Sequence, residues 1–489
     1  MILKEELREK KNVIFHRKVY IAALFSVALI ALLLWRFSNW YYDDPFITYR
    51  YAWNLIHGNG FVYNPGERVL STTTPFFTLL LAGLGIIWPN IPKIAVILGC
   101  IFIGLSGLIF WDLAQQWKLT IAGWVGLVLL PTFPLVTSTI GSETPLYIAL
   151  VLGSLDLFMR RHYNWMALLM AILSLVRPDG ILLPFVIGIY YFVKNKNEIP
   201  WGAIGIFISI NFLWFGFAWY YFGFPLPATL MVKQQQGVMS ISQHFAPGLL
   251  TIAKPYTNKW YYIVEIVLAF IGFVWIIFRR NLSLLLISWT LFYFLAYTIL
   301  GVTRYFWYYA PLIPSFILMI GVGFEIIIKF FKQALITQFK VIRFENILFG
   351  ALFVVCISQG YNTYQYSQTP DSRYDIYHSI GEWLNTNTAK NDKVGALEVG
   401  IIGYYADRPM IDFAGLIEPD VAKQMQTVYT YEDTALWAIN RYQPSYVVLN
   451  PTAFSGLIEK YITVQCQIVK DFHKDDFNSN QDMIIFHCN

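Results

Sequence analysis

The chain has 489 residues, of which 57% are hydrophobic, 18% aromatic and 13% charged, and its mean hydropathy is +0.50. A soluble protein carries about 25% charged residues, so the composition excludes a wholly soluble protein and indicates that most of the chain lies in lipid. The net charge of +5 is too small to indicate a nucleic-acid partner.

The N-terminus predicts how the chain is oriented in the membrane. Before an apolar run over 19–35 the sequence has a group of basic residues, Lys4, Arg8, Lys10, Lys11, Arg17 and Lys18. Basic residues beside a span favour the cytoplasmic side. A short apolar core with a small-residue cleavage site is absent here, so we expect an uncleaved first span with a cytoplasmic N-terminus.

Apolar runs continue through the first 364 residues, at 19–37, 75–88, 91–111, 120–137, 145–159, 164–176, 180–193, 201–222, 259–278, 281–300, 305–328 and 346–362. A transmembrane helix needs about 20 residues, and the run 75–88 is short and bounded by prolines. If it does not cross, the basic loops fall on the cytoplasmic side, with Lys118, Arg160, Arg161, Lys194, Lys196, Arg279, Arg280, Lys329, Lys332, Lys340 and Arg343. The sequence therefore predicts about eleven transmembrane helices, with 75–88 interfacial or re-entrant.

If 75–88 does not cross the membrane, four segments lie on the outer face. They are the stretch 41–69, the loop "TSTIGSETPL" (137–146), the loop 223–258, and the tail from about 365. In the tail, "KVGALEV", "RPMIDF" and "PSYVVL" are typical of strands and "DTALWAINRY" of a helix. We expect a membrane module over 1–364 and an extracytoplasmic α/β domain over 365–489. Cys466 and Cys488 lie in strand-like stretches of this domain and are able to pair there, although spacing alone does not show it.

Acidic residues mark the start of two predicted helices on this outer face. Asp44 before Pro45 is a good N-cap, with a helix that runs to about His57 and stops at Gly58. Capping explains one carboxylate but leaves the adjacent Asp43, which repels it near a low-dielectric surface. Glu143 precedes another span and also has a capping interpretation. Because three acids converge on one face, we favour a functional site over three separate caps.

Basic and aromatic residues are predicted at the same boundary: Arg68, Arg177, Lys233 and Arg304, with Tyr41, Tyr42, Trp307, Tyr308 and Tyr309. Membrane-end cations often only extend toward lipid headgroups, and an interfacial belt explains the aromatic residues. As a set, acids beside cations suit one reaction class. A carboxylate deprotonates an attacking hydroxyl, while cations stabilise a departing phosphate.

Six stretches in this order resemble the GT-C superfamily of membrane glycosyltransferases, which use polyprenyl-phosphate sugar donors. They are "DDPFITYRYAWNLIHGNGFVYNPGERV", "GSETPLYIAL", "VRPDG", "LPATLMVK", "WYYAPL" and "EVGIIGYYADRPMIDFAGLIEP", the first and last being specific. The closer resemblance is to the bacterial terminal arabinofuranosyltransferase-like group. The chain departs from that group at Pro45, at Leu70–Ser71 and at Ala228, along the predicted wall of the substrate cavity.

The resemblance implies an inverting transfer of a hexosyl or pentosyl group to a glycan, lipid or protein acceptor of the cell envelope. It implies that Asp43 is the general base, that Asp44 holds the acceptor, the base or an ion, and that Glu143 is the second catalytic acid. Lys233 and Arg304 would bind the donor phosphate. Arg68 and Arg177 would be structural or would support the residues that touch substrate.

The cofactor requirement is left open at this point. Asp43, Asp44 and Glu143 offer oxygen ligands of the kind that a divalent metal ion prefers. The glycine-containing stretch near residue 400 lacks G-x-G-x-x-G, so we expect no nucleotide cofactor. The predicted location is the cytoplasmic membrane, as a multi-pass protein in contact with membrane lipids.

Two other classes of protein compete with this interpretation. A transporter or flippase of a lipid-linked sugar would place polar groups near mid-membrane. The acids Asp156, Glu265 and Glu325 instead lie toward the ends of predicted spans, although Asn211 and internal glycines keep that alternative open. A non-catalytic scaffold that binds envelope glycan would leave the paired acids unexplained.

Overall fold

The computed structural model describes residues 2–194, 198–227, 229–239, 242–279, 281–335, 342–425 and 430–488. Lys196, Ala228, Arg280 and Lys340, which enter the expectations above, lie outside the described residues. The helices up to residue 366 are α1 Ile2–Phe37, α2 Asp44–Ile56, α3 Pro75–Gly85, α4 Ile91–Gln116, α5 Thr120–Leu129, α6 Pro134–Thr137, α7 Thr144–Met159, α8 Tyr163–Val176, α9 Leu182–Lys194, α10 Trp201–Phe222, α11 Thr229–Val238, α12 Phe245–Thr257, α13 Trp260–Arg279, α14 Leu284–Leu300, α15 Ile313–Leu335 and α16 Ile342–Tyr366.

The helices identify a membrane protein. Within the described residues, six are long and apolar enough to cross a bilayer, at His16–Phe37, Ile91–Gln116, Trp201–Phe222, Trp260–Arg279, Phe306–Gln333 and Asn346–Tyr366. Five apolar helices are shorter, at Pro75–Gly85, Thr120–Leu129, Thr144–Met159, Tyr163–Val176 and Leu284–Leu300. The predicted total of about eleven spans therefore stays a prediction. Proline is one reason for the short helices, because the run 120–137 breaks after α5, next to Pro131, and resumes only as the four residues of α6.

The segment 75–88 is helical over only 11 residues, Pro75–Gly85. At 1.5 Å per residue this helix is about 16 Å long, which is too short to cross a hydrocarbon core of about 30 Å. Helix α2 ends at Ile56, and Gly58 follows with φ +78°, a conformation that glycine adopts without strain. The end of α2 agrees with the sequence expectation, and the interfacial or re-entrant placement of 75–88 stays a prediction.

The C-terminal part contains, within the described residues, one five-stranded sheet in the order β2-β1-β3-β5-β4. The strands are β1 Val394–Ala396, β2 Met410–Asp412, β3 Tyr446–Leu449, β4 Cys466–Phe472 and β5 Met483–Cys488, and the helices α17 Tyr374–Asn387, α18 Ile401–Ala406, α19 Pro419–Gln424, α20 Tyr431–Tyr442, α21 Ser455–Leu457 and α22 Thr463–Gln465. Strands β2, β1 and β3 are parallel, and β5 pairs antiparallel with β3 and β4. The three predicted strands and the predicted helix are present.

A disulfide joins Cys466 to Cys488 at the paired ends of β4 and β5. The sheet is not separate from the membrane helices, since one contiguous core of buried side chains runs from Leu33 in α1 to Val394 and Val448 in the sheet. The outer stretch 41–69 lies where these two parts meet. The boundary at residue 364 itself stays a prediction.

Candidate functional site

Asp43 and Asp44 stand at the start of α2, and their carboxylates have different partners. Helix α2 begins at Asp44 with Pro45 in its first turn, but no side chain accepts a capping hydrogen bond there. The prediction that Asp44 caps this helix is therefore wrong. Its carboxylate instead pairs with Lys233, and the Asp43 carboxylate binds backbone of the C-terminal part.

Asp43 links the first outer loop to the C-terminal part by hydrogen bonds. Its side chain is only 4% exposed, and it accepts backbone N–H groups from Ile401 at 2.8 Å and from Gly400 at 3.2 Å. Gly400 is needed for this approach, because a Cβ there would lie 2.1 Å from the Asp43 carbonyl oxygen. The start of α18 thus sits directly on Asp43.

Further hydrogen bonds extend this contact along the outer loop. The guanidinium of Arg50 donates to the carbonyl oxygens of Tyr63, Gly403 and Arg408. The side chain of Asn64 donates to the Met410 carbonyl at 2.9 Å and accepts the Met410 N–H at 3.0 Å. The two stretches that carry the most specific resemblance therefore pack on each other, and the site next to them depends on this docking.

A second carboxyl group, Glu398, lies beside Asp43 in this contact. Burial raises the pKa of Asp43 well above its usual value, and the negative charge of Glu398 raises it further. Burial likewise raises the pKa of Glu398, against the opposing charge of Arg373, which lies 3.2 Å from the Glu398 carboxylate. The folded protein therefore holds protons here that an unfolded chain releases above about pH 4.

This buried pair predicts a stability that falls as pH rises. Because the folded state binds more protons than the unfolded state above about pH 4, the free energy of unfolding decreases from pH 5 toward pH 8. Burial raises the pKa of Asp412 to about 7 and the pKa of Glu418 to about 8. Both groups therefore also lower the free energy of unfolding as the pH rises. We expect a lower thermal unfolding temperature at pH 8 than at pH 5, and a smaller difference in Glu398→Gln.

The matched control for this measurement is Glu459→Gln, which replaces an exposed carboxylate of the C-terminal part. This change should leave the difference between pH 5 and pH 8 at its wild-type size. An unchanged pH difference in Glu398→Gln would show that Glu398 carries no linked proton.

A cavity of about 390 Å³ opens on the other side of the first acid pair, next to Asp44. Its charged wall consists of Asp44, Glu143, Arg177, Asp179 and Lys233. Its apolar wall consists of Ile181, Leu182, Leu226, Pro227, Leu230, Ala296 and Leu300. The cavity therefore offers a charged surface and a hydrocarbon-like surface to the same ligand, which suits an amphiphile.

Lys233 is the cation nearest to Asp44. Its Nζ lies 3.2 Å from Asp44 Oδ2 and 4.1 Å from the centre of the Tyr305 ring. Burial alone lowers the pKa of Lys233, but the negative charge of Asp44 outweighs it and raises the pKa above its usual value. The amine is therefore protonated, and the Asp44 side chain, 34% exposed, keeps a free edge toward the cavity.

Arg177 is the second cation and has a full set of partners. It is 4% exposed and pairs with Asp179 at 2.9 Å and with Glu143 at 3.5 Å. It also donates to the hydroxyl of Tyr297 at 2.6 Å, and Tyr297 in turn donates to Asp179 at 2.5 Å. Burial raises the pKa of Glu143, while the charge of Arg177 lowers it. Arg177 thus fixes the orientation of Glu143 at the cavity wall.

Hydroxyl groups form a third part of the wall. Thr48, Thr72 and Thr74 bond to one another over 3.1–3.4 Å, and all three line the cavity. The hydroxyls of Ser71 and Thr229, both on buried lining residues, have no hydrogen-bond partner among the described residues. A buried hydroxyl without a partner costs free energy, and both hydroxyl oxygens are shielded from solvent within the cavity wall.

Of the other residues predicted at the site, some line this cavity and the rest lie outside it. Tyr42, Trp307 and Tyr308 line it, whereas Tyr41 stacks on Tyr374 and Tyr309 on Phe245. Arg304 packs against Gly248 and Tyr309 and is outside the lining, as is Arg68, which stacks on Tyr221 at 4.6 Å. Asp43 is also outside the lining.

The acids are not arranged as a metal site. In the ranges that the structure describes, no group of three or more His, Cys, Asp and Glu side chains is placed to hold a metal ion. Asp43 faces Gly400, Asp44 faces Lys233 and Glu143 faces Arg177, so the three carboxylates do not form a common ligand set.

Three site residues were not singled out from the sequence. Asp179 stands in the quoted "RPDG" and Glu398 opens the quoted "EVGIIG", so the signal was present as an acid inside a matched stretch. Tyr297 lies in an apolar run in α14, and nothing in the sequence marks it as a site residue. Only its hydrogen bonds with Arg177 and Asp179 in the folded protein distinguish it from other aromatic residues.

Comparison with solved structures shows the fold. ArnT from Cupriavidus metallidurans bound to undecaprenyl phosphate aligns over 95% of this chain and 97% of its own, with a TM-score of 0.58 and 12% identity. The archaeal oligosaccharyltransferase AglB from Archaeoglobus fulgidus, in complex with an inhibitory peptide and a dolichol-phosphate, aligns over 89% of this chain and 69% of its own, with a TM-score of 0.59 and 14% identity. The chain therefore shares its fold with ArnT and AglB. The arabinofuranosyltransferase-like subgroup stays a prediction.

Comparison at the level of sequence adds one match. Residues 362–486 match a domain of unknown function, DUF8728. No curated protein matches the sequence.

Proposed function

We propose that the protein is an integral-membrane glycosyltransferase of the outer face, which moves a sugar from a polyprenyl-phosphate donor to an envelope acceptor with inversion. The observation that carries this proposal is the cavity beside Asp44, where a carboxylate, a protonated lysine and an apolar wall meet. The apolar wall accommodates prenyl chain, and Lys233 binds the phosphate. The disulfide between Cys466 and Cys488 supports an outer location for the sheet, since disulfides persist in oxidising compartments.

Asp44 is the general base in this proposal, in place of Asp43. Asp44 lines the cavity, whereas the Asp43 carboxylate is occupied by two backbone N–H groups. An incoming donor phosphate competes with Asp44 for Lys233 and frees the Asp44 carboxylate for the acceptor hydroxyl. Both changes occur only when the donor is bound, so the Asp44 carboxylate is free to act as a base only in the complex with substrate.

The reaction balances with these two groups. The acceptor hydroxyl gives its proton to Asp44, and its oxygen forms a bond to the anomeric carbon of the donor sugar. The bond from that carbon to the phosphate oxygen breaks, and its electron pair stays on the polyprenyl phosphate, where Lys233 stabilises the charge. Attack from the face opposite the leaving phosphate inverts the configuration.

The hydroxyl wall supports a sugar as the transferred group. Ser71 and Thr229 supply hydroxyls without protein partners, and Tyr42 and Trp307 supply aromatic faces beside them. Sugar rings present hydroxyls at their edges and C–H groups on their faces, so both kinds of surface are used. Glu143, held by Arg177, is placed to accept a hydroxyl of either substrate.

A transfer assay with purified full-length protein in liposomes tests this function. The probes are undecaprenyl-phosphate-linked pentoses and hexoses labelled in the sugar, offered together with total envelope glycans and lipids. We expect label to move to an acceptor with release of an equal amount of polyprenyl phosphate, and about 100-fold slower transfer in Lys233→Met. The control Lys254→Met, an exposed lysine at the end of α12, should keep wild-type activity. Transfer from nucleotide sugars alone would contradict the proposal.

A further inference from the structure

A second cavity, of about 630 Å³, lies at the opposite end of the helix bundle from the first. Helices α7, α9 and α14 each reach from one cavity to the other: Leu182 and Leu300 line the first, and Lys194 and Leu284 line the second. Helices α9 and α14 have 13 and 17 residues, so their two ends are about 20–25 Å apart. The linings of the two cavities come within one turn of each other on each helix, from Leu182 to Val186 and from Ala296 to Phe292, so the second cavity extends from the middle of the bundle to its other end.

The chemistry of this cavity differs from that of the first. Two lysines, Lys118 and Lys194, lie on its lining, and no Asp or Glu is among its described lining residues. Gln116 lines it too, and its side chain donates to Asp156. Asp156 and Asp112 share one cation, Arg160, so these three side chains carry one net negative charge against the two positive charges of the lining lysines. The lining itself is therefore electropositive.

One residue of the lining carries a buried donor without a partner. Trp117 lines the cavity with 7% of its surface exposed, and its Nε1–H has no hydrogen-bond partner within the part of the chain that the structure describes. The amide oxygen of Asn281, another lining residue, accepts from Ser283, which turns the amide NH₂ to other partners. The Trp117 Nε1–H and the Asn281 NH₂ are both hydrogen-bond donors. An anion with several acceptor oxygens forms hydrogen bonds with them and ion pairs with the two lysines.

The rest of the wall is apolar. Met159, Val186, Ile189, Leu285 and Phe292 contribute hydrocarbon and aromatic surface from three helices, α7, α9 and α14. A free inorganic anion would leave this surface facing water, whereas an acyl chain covers it. Basic pockets between transmembrane helices on the cytoplasmic side are a recurrent way to bind anionic lipid headgroups. The positive-inside distribution of the loops predicts that this end is cytoplasmic.

We propose that the second cavity binds one anionic phospholipid, with its phosphate at Lys118, Lys194 and the Trp117 Nε1–H and an acyl chain along Val186 and Leu285. The site is distinct from the cavity beside Asp44, and the proposal does not rest on glycosyl transfer. The lipid would fill the space between α4, α9 and α14 at the end of the bundle where these helices are short, and so would hold them together.

Native mass spectrometry of the full-length protein in detergent tests this site. The probes are phosphatidylglycerol and phosphatidylcholine with the same acyl chains, titrated separately. We expect one phosphatidylglycerol to bind about tenfold more tightly than phosphatidylcholine. The double variant Lys118→Asn with Lys194→Gln should lose that preference, and asparagine suits position 118 because its φ is +61°. Trp117→Phe, which keeps most of the ring but removes the donor, should weaken phosphatidylglycerol about tenfold.

The matched control is the double variant Lys254→Gln with Lys259→Gln, which removes two exposed lysines near the end of α12 and keeps the same total charge change. It should bind phosphatidylglycerol like the wild type. Single Lys194→Gln, at the exposed end of α9, covers the case in which the double variant fails to fold. Equal binding of the two lipids, or full binding by both lysine variants, would overturn the site. Displacement of phosphatidylglycerol by equimolar undecaprenyl phosphate would overturn the choice of occupant.

Discussion

Replacement of Asp44 by Asn is expected to lower the rate of sugar transfer about 1,000-fold while the protein folds and inserts normally. Loss of a general base costs about 10²–10⁴-fold, because the acceptor hydroxyl then has no group to take its proton in the transition state. The side chain of Asp44 is partly exposed and makes one ion pair, so its carboxamide fits the same space. The measurement is kcat/KM for the labelled polyprenyl-phosphate sugar, beside the thermal unfolding temperature.

The variant Asp43→Asn separates the two adjacent acids. An amide can accept only one of the N–H groups of Gly400 and Ile401 through its oxygen, and its NH₂ faces the other. We expect about 1–3 kcal/mol lower stability of the docked sheet. Transfer by the folded fraction should stay within about tenfold of wild type. If Asp43→Asn is stable but inactive, and Asp44→Asn is active, the base is Asp43, as the family resemblance implies.

The sequence alone predicted those features that depend on the pattern of neighbouring residues. The β1, β2 and β3 strands follow from alternating or continuous apolar residues, and the end of α2 follows from Gly58. The acids and Lys233 were found because charged residues at a membrane boundary are costly and few. These signals are carried by neighbouring residues, so no fold was needed to read them.

What the sequence could not decide is the direction in which each side chain points. Asp43 and Asp44 are adjacent, and only contacts 357 and 189 residues away assign one to the sheet and the other to the cavity. Arg177 was expected to be structural or supporting, and its contacts with Glu143 and Asp179 are compatible with that role, but its partner Tyr297 could not be read from the sequence. Arg304 was expected at the phosphate, but its loop runs beside His244 and takes it behind α12. Such choices depend on tertiary packing.

Replacement of Gly400 by Ala is expected to undock the sheet and, with it, to abolish transfer. Gly400 has φ −68°, which any residue adopts, so the requirement for glycine is space. An added Cβ would lie 2.1 Å from the Asp43 carbonyl oxygen and 2.6 Å from its carboxylate, and both atoms are fixed by the start of α2. Relieving this overlap means moving α18 away from Asp43, at a cost of about 3 kcal/mol.

The shift would also affect the cavity, because it breaks the hydrogen bonds that hold Asp43 and thereby loosens the adjacent Asp44. We therefore expect Gly400→Ala to lower both the thermal unfolding temperature and kcat/KM, unlike Asp44→Asn, which lowers only the second. Gly360→Ala, in α16 with nothing within 4 Å of the new Cβ, is the matched control and should lower neither, since alanine favours the helix. Wild-type stability and activity in Gly400→Ala would mean that the sheet does not position the catalytic loop, and that Asp43 has a role other than docking.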